Sequence, residues 1–143
     1  MDVEYFDRLW SKDRGTVDES RMNWDFRAKE FNLSKSQKIV SNVVDFFMEK
    51  GMLCPGYDVI DIGCGAGKYA LEFSIIAKSV TAMDFSPKML DYARENAARQ
   101  EVTNVEFLEM PWEEVDLDQD VLGWTKKFDF AAAIMSLGAK NSR

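Results

Sequence analysis

The chain has 143 residues, enough for one domain that folds alone, and its 46% hydrophobic and 30% charged residues are ordinary for a soluble globular protein. A formal charge of −7, with Lys and Arg scattered and an acidic stretch at Glu113, Glu114, Asp116, Asp118 and Asp120, disfavours nucleic acid as substrate. The absence of histidine excludes every His-based triad, and Cys54 and Cys64, in no C-x-x-C pair, are a poor basis for zinc.

No window is apolar for the eighteen or so residues a membrane span needs. Met1 to Asp7 mixes acids with aromatics and lacks the basic and apolar regions of a secretory signal. Two reduced cysteines then suit a cytoplasmic protein, which is the expected localisation. Short helices are expected near 2–11 and 22–32. Ser34-Lys35-Ser36-Gln37 reads as a capping box, in which serine hydroxyl and glutamine satisfy free amides. Ile39, Val40, Val43, Val44, Phe47 and Met48 recur at helical spacing behind it, and Gly51 is a natural stop.

From Tyr57 onward strands and helices alternate. Val59 to Ile62 is a short apolar strand running into a glycine-rich turn, 68–77 suits a helix, and Ser79 to Met83 is a second strand. Ser86 and Pro87 supply an N-cap and a first-turn proline for a helix to about Arg99. Asn104 to Leu108 is a third strand. Phe128 to Met135 is a fourth, apolar enough to be a buried central strand. This alternation predicts an α/β fold, a parallel sheet with helices on both faces.

The strongest chemical signal is Asp61-Ile62-Gly63-Cys64-Gly65-Ala66-Gly67, between a strand and a helix. Glycines at alternate positions let the backbone turn sharply and approach a ligand with no side chain in the way. Ligands of open α/β sheets sit at the carboxyl ends of strands, where this turn lies. A phosphate-binding P-loop would need glycine at 62 and Ser or Thr at 69, where Ile62 and Tyr69 stand. A dinucleotide fingerprint places Gly or Ala where Lys68 stands. What remains, an acid followed by G-x-G-x-G, resembles the first motif of the class I S-adenosylmethionine-dependent methyltransferases, (D/E)-x-G-x-G-x-G. Every fixed position of that motif is present.

Asp84, followed by Phe85-Ser86-Pro87-Lys88-Met89-Leu90, extends the resemblance, since D-x-S-x-x-M-L is a common form of the family's second motif. The resemblance implies a Rossmann-like fold with strand order 3-2-1-4, S-adenosylmethionine as cofactor, and cofactor contacts from Asp61, Gly63, Cys64, Gly65, Ala66 and Gly67. It gives Asp84 the role of accepting hydrogen bonds from both ribose hydroxyls. The alternative is a plain helix-entry acid beside Ser86. Phe85 and Met89 are either apolar walls for adenine or ordinary packing. After the third strand, Glu109, Met110 and Trp112 stand where the family contacts the adenine ring, although the local sequence departs from the usual G-D-A form. Phe128-Asp129-Phe130 resembles the family's F-D-x-V segment, beyond which Ala133 to Ser136 would line the methionine end of the cofactor.

Trp24 to Phe31 resembles the W-x-x-R-A-x-x-(F/Y) helix of many small-molecule methyltransferases, there part of a lid over cofactor and substrate. Tyr5, Trp24 and Arg27 are the lid candidates; an ordinary packing helix is the alternative. The expected division is a helical lid or cap over 1–52 and a cofactor-binding half-domain over 53–143. The implied reaction is in-line transfer of the sulfonium methyl to an O, N, S or C atom of a small molecule, with no metal required and no catalytic base identifiable.

A complete domain of that family has seven strands, and only residues 137–143 follow the fourth here. The expectation is therefore an incomplete domain whose fourth strand, a bare edge at 130–135, pairs two copies as a homodimer. Two other readings compete. One is a cofactor-binding fragment or interaction module without catalysis. The other is a nicotinamide-dependent oxidoreductase, favoured only by the shared strand–glycine–acid layout.

Overall fold

A computed structural model describes residues 21–22, 25–26, 37–116, 118–120 and 122–134. Tyr5, Trp24 and Arg27, residues 34–36 of the capping box, and Met135 and Ser136 lie outside the described residues.

Helix α1 (Gln37–Glu49) turns Val40 and Val44, one turn apart, fully into the core. It ends as its glycine dictates. Gly51 takes φ +68°, its N–H donates to the Met48 carbonyl at 3.1 Å, and the Met52 N–H donates to Phe47 at 2.9 Å. That pair of bonds is a Schellman closure, which the left-handed residue makes possible.

Strands β1 (Asp58–Ile62), β2 (Ser79–Asp84), β3 (Val105–Glu109) and β4 (Phe130–Ala132) form one parallel sheet in the order β3-β2-β1-β4. Helix α2 (Lys68–Ile76) joins β1 to β2, and α3 (Pro87–Arg99) joins β2 to β3. Both crossovers step the same way along the sheet, so right-handed connections put both helices on one face. Val59, Val80, Ala82, Phe130 and Ala132 pack there against Val40, Val44, Tyr69, Ala70 and Phe73. Phe47, Phe73 and Phe130 interlock α1, α2 and β4, with ring centroids 5.1–6.3 Å apart.

The opposite face carries the alternate residues of the strands. Ile60 and Met83 pack there against Trp124, with Leu108, Met110, Val115 and Phe128 around them. Among the described residues its cover is irregular chain, including a 3-10 turn at Trp112–Glu114.

Strand β4 is shorter than the apolar run 128–135 suggests. It pairs with β1 alone, from Val59↔Phe130 to Asp61↔Ala132, and β1 leaves the sheet just beyond, at Gly63. Upstream, Phe128 stacks edge-on against Trp124 at 5.4 Å instead of continuing the ladder. Ala131 is exposed, so β4 is not a strand buried on both faces.

Candidate functional site

The site begins where β1 breaks. Gly63, Gly65 and Gly67 all take positive φ, at +71°, +56° and +85°, a region that costs other residues about 1–2 kcal/mol each. The N–H groups of Gly63 and Cys64 both donate to the Met83 carbonyl at 2.9 Å, which folds the loop over the end of β2. Gly67 then opens α2, and the Leu71 N–H donates to its carbonyl at 2.8 Å.

Asp84 closes the arrangement from the tip of β2. Its Oδ2 accepts from the Gly65 N–H and its Oδ1 from the Ser86 N–H, both at 2.9 Å. Burial pushes its carboxyl above the ordinary aspartate value, the charge of Asp25 adds to this, and the backbone N–H groups of Ser86, Gly65 and Phe85 oppose it. Ser86 caps α3 as the sequence predicts, accepting the Met89 N–H at 3.2 Å, with Pro87 in the first turn.

Asp61 is buried at 3% exposure at the other strand tip. Burial, then the charges of Asp61 and Asp84, hold the Cys64 thiol well above its usual value. Burial and Asp61 also raise Tyr69.

The remaining candidates divide by exposure. Phe85 is half-buried beside Asp84, whereas Met89, at 2%, is packed into the interior. Glu109 pairs in register with Asp84 and is exposed, and the Met110 N–H donates to the Asp84 carbonyl at 3.0 Å. Met110 is half-buried against the Ile60–Met83 cluster, and Trp112 stands 44% exposed in the 3-10 turn. Ala66 is buried; of the β4 exit, Ala133 is exposed and Ile134 packs against the core.

Sequence reasoning missed four polar residues that hold this region. The Asn96 amide donates to the Ala66 carbonyl at 3.0 Å, and Asn104 donates to Ser74 and Ala77 carbonyls at the end of α2 at 2.9 and 3.3 Å. Arg21 donates to the Phe85 carbonyl at 2.8 Å, and the Asp25 carboxylate accepts from Ser86 Oγ and from the Lys88 N–H. No periodicity or motif marks a residue whose partner lies dozens of positions away.

A family profile described as "Methyltransferase domain" matches residues 53–142. Malonyl-[acyl-carrier protein] O-methyltransferase of Yersinia pestis is 31% identical over 72 residues, 49% of this chain and 27% of that protein. The 23S rRNA (uracil(1939)-C(5))-methyltransferase RlmD of Shewanella sediminis is 31% identical over 78 residues, 54% of this chain and 17% of that protein. The chain spans about a quarter or less of the length of these curated relatives. Phosphoethanolamine N-methyltransferase 1 of Haemonchus contortus, solved with phosphoethanolamine and S-adenosylhomocysteine, superposes with a TM-score of 0.55 at 17% identity. That match covers 70% of this chain and 22% of that one and shows a shared fold.

Proposed function

Because this chain belongs to the methyltransferase domain family, we propose that the tips of β1 and β2 bind S-adenosylmethionine for methyl transfer to a small-molecule acceptor. The observation that carries this reading is the buried Asp84 carboxylate, drawn onto the glycine loop through the Gly65 N–H at 2.9 Å. A carboxylate offers about four acceptor positions. The Gly65 and Ser86 amides take one on each oxygen and the Phe85 N–H lies close by, which leaves acceptor capacity for a ribose hydroxyl at the strand tip.

The residues fit the group in other respects. Gly63 and Gly65 present backbone without side chains, and half-buried Phe85 offers an apolar surface beside the acid. The cofactor supplies a methyl already activated on a sulfonium, so the protein's part is to bind and orient. Support for a small acceptor is the Trp24–Phe31 pattern. The negative charge of the chain does not by itself exclude nucleic acid, since the relatives include an enzyme named for 23S rRNA.

Calorimetric titration with S-adenosylhomocysteine, with NAD as control, tests the cofactor. Saturable binding of the adenosyl ligand alone is expected. Binding of NAD in its place, or of neither ligand, overturns the assignment.

A further inference from the structure

Arg21 and Asp25 stand four residues apart, the spacing that puts two side chains on one side of a helix, and all four described residues of this stretch are helical. Both side chains reach the turn between β2 and α3, 64 and 61 residues away. Arg21 Nε donates to the Phe85 carbonyl at 2.8 Å. The Asp25 Oδ1 accepts the Ser86 hydroxyl and, at 3.2 Å, the Lys88 N–H. Of the four described residues, Met22 and Phe26 are exposed, and Arg21 and Asp25 are the two that turn to the protein.

These contacts fall on the residues directly after Asp84. Ser86 is completely buried and bonded three ways: its N–H donates to Asp84 Oδ1 at 2.9 Å, its Oγ accepts the Met89 N–H at 3.2 Å, and its hydroxyl proton goes to Asp25. A serine hydroxyl has one proton. Committing it to Asp25 leaves the oxygen lone pairs facing Met89 and holds the Ser86 backbone where its N–H meets Asp84.

We infer that Asp25 is a positioning residue of the adenosyl site: through Ser86 it fixes the turn that aims Asp84 at the cofactor's ribose. The inference rests on the cofactor reading above. The relay makes a demand that simple stabilisation of the helix end does not. Losing Asp25 must damage recognition of the ribose hydroxyls in particular.

The test compares S-adenosylhomocysteine with its 2′-deoxy analogue on the wild-type chain, Asp25→Ala and Asp25→Asn. The wild type should prefer the ribose form by about tenfold, the value of one hydrogen bond. Asp25→Ala should lose most of that preference, and Asp25→Asn, which keeps a carbonyl acceptor for both donors, should retain it. Equal weakening of both ligands in Asp25→Ala would make the contact a structural cap only and overturn the inference, as would unchanged binding. Loss of the preference in Asp25→Asn would overturn the hydrogen-bond argument. Failure of the wild type to bind either ligand would instead sink the cofactor reading, and the inference with it. Should Asp25→Ala melt below the titration temperature, Ser86→Ala gives a second comparison that removes the hydroxyl donor together with the Met89 cap. Loss of the ribose preference is again the expected result and equal weakening of both ligands the overturning one.

Discussion

Asn96 and Ala66 are 30 residues apart in sequence and joined by one hydrogen bond, from the Asn96 side-chain amide to the Ala66 carbonyl at 3.0 Å. The bond ties the outer arm of the glycine loop to the last turn of α3, the helix that Asp84 and Ser86 introduce. Besides the Met83 carbonyl, two side chains thus hold the loop, Asp84 at Gly65 and Asn96 at Ala66.

Asn96→Asp tests that second point with almost no change of shape. A carboxylate cannot donate, so it would meet the Ala66 carbonyl acceptor against acceptor. We expect a loss of about 1–3 kcal/mol in stability and a weakening of S-adenosylhomocysteine binding. Thermal melting and titration of the variant check both. An unchanged affinity would mean the loop keeps its shape without the bond.

Asp84→Asn should be worse than its size suggests. Both Asp84 oxygens accept backbone N–H groups, and an amide can serve only one of them. The other N–H would face an NH₂ group. The expected loss is about 1–3 kcal/mol of stability, and removal of the charged acceptor should weaken cofactor binding by about 10- to 150-fold. Denaturant unfolding measured beside ligand titration separates the two effects.

Acidification should move the Asp84 contribution to stability and the affinity for the cofactor in opposite directions. Asp84 has a raised carboxyl pKa, chiefly because burial penalises its charge. The folded chain therefore holds this proton more tightly than the unfolded chain. The stabilisation is fully present below the unfolded pKa and is lost as pH rises through the folded one. Binding needs the ionised acceptor, so affinity falls as pH drops through the folded value, by at most about tenfold per unit. Titrations between about pH 4 and 7 should place this fall above the ordinary aspartate value. An affinity flat across that range would remove Asp84 as the ribose acceptor.

What the sequence made legible was local. The glycine loop, the acid ending β2 and the Ser86–Pro87 helix start each announce themselves within a few residues, because turn geometry and capping act over that range. The order β3-β2-β1-β4 followed once the motifs implied the family. The extent of β4 did not, because an apolar run reports burial and not pairing: Phe128 is half-buried against Trp124, outside the ladder. The contacts of Asp25, Asn96 and Asn104 were hidden for a different reason. Each is a polar side chain whose partner is fixed only when distant elements dock.

Gly67 gives the sharpest separation of causes. It has φ +85°, and a Cβ placed on it would stand 3.2 Å from the Cβ of Ala93 and 3.5 Å from its Cα. Gly56 has nearly the same conformation, φ +86°, with nothing within 4 Å. Gly56→Ala therefore measures the backbone strain alone, about 1–2 kcal/mol. Gly67→Ala adds a tight contact with the Ala93 Cβ, which moves only with α3, the helix that carries the Asn96–Ala66 bond one turn further along. We expect Gly67→Ala to cost about 1–3 kcal/mol more than Gly56→Ala and to weaken adenosyl binding, which Gly56→Ala should leave intact. The two variants are compared by denaturant midpoint and by titration. Equal losses of stability would show that α3 moves aside freely and does not brace the loop.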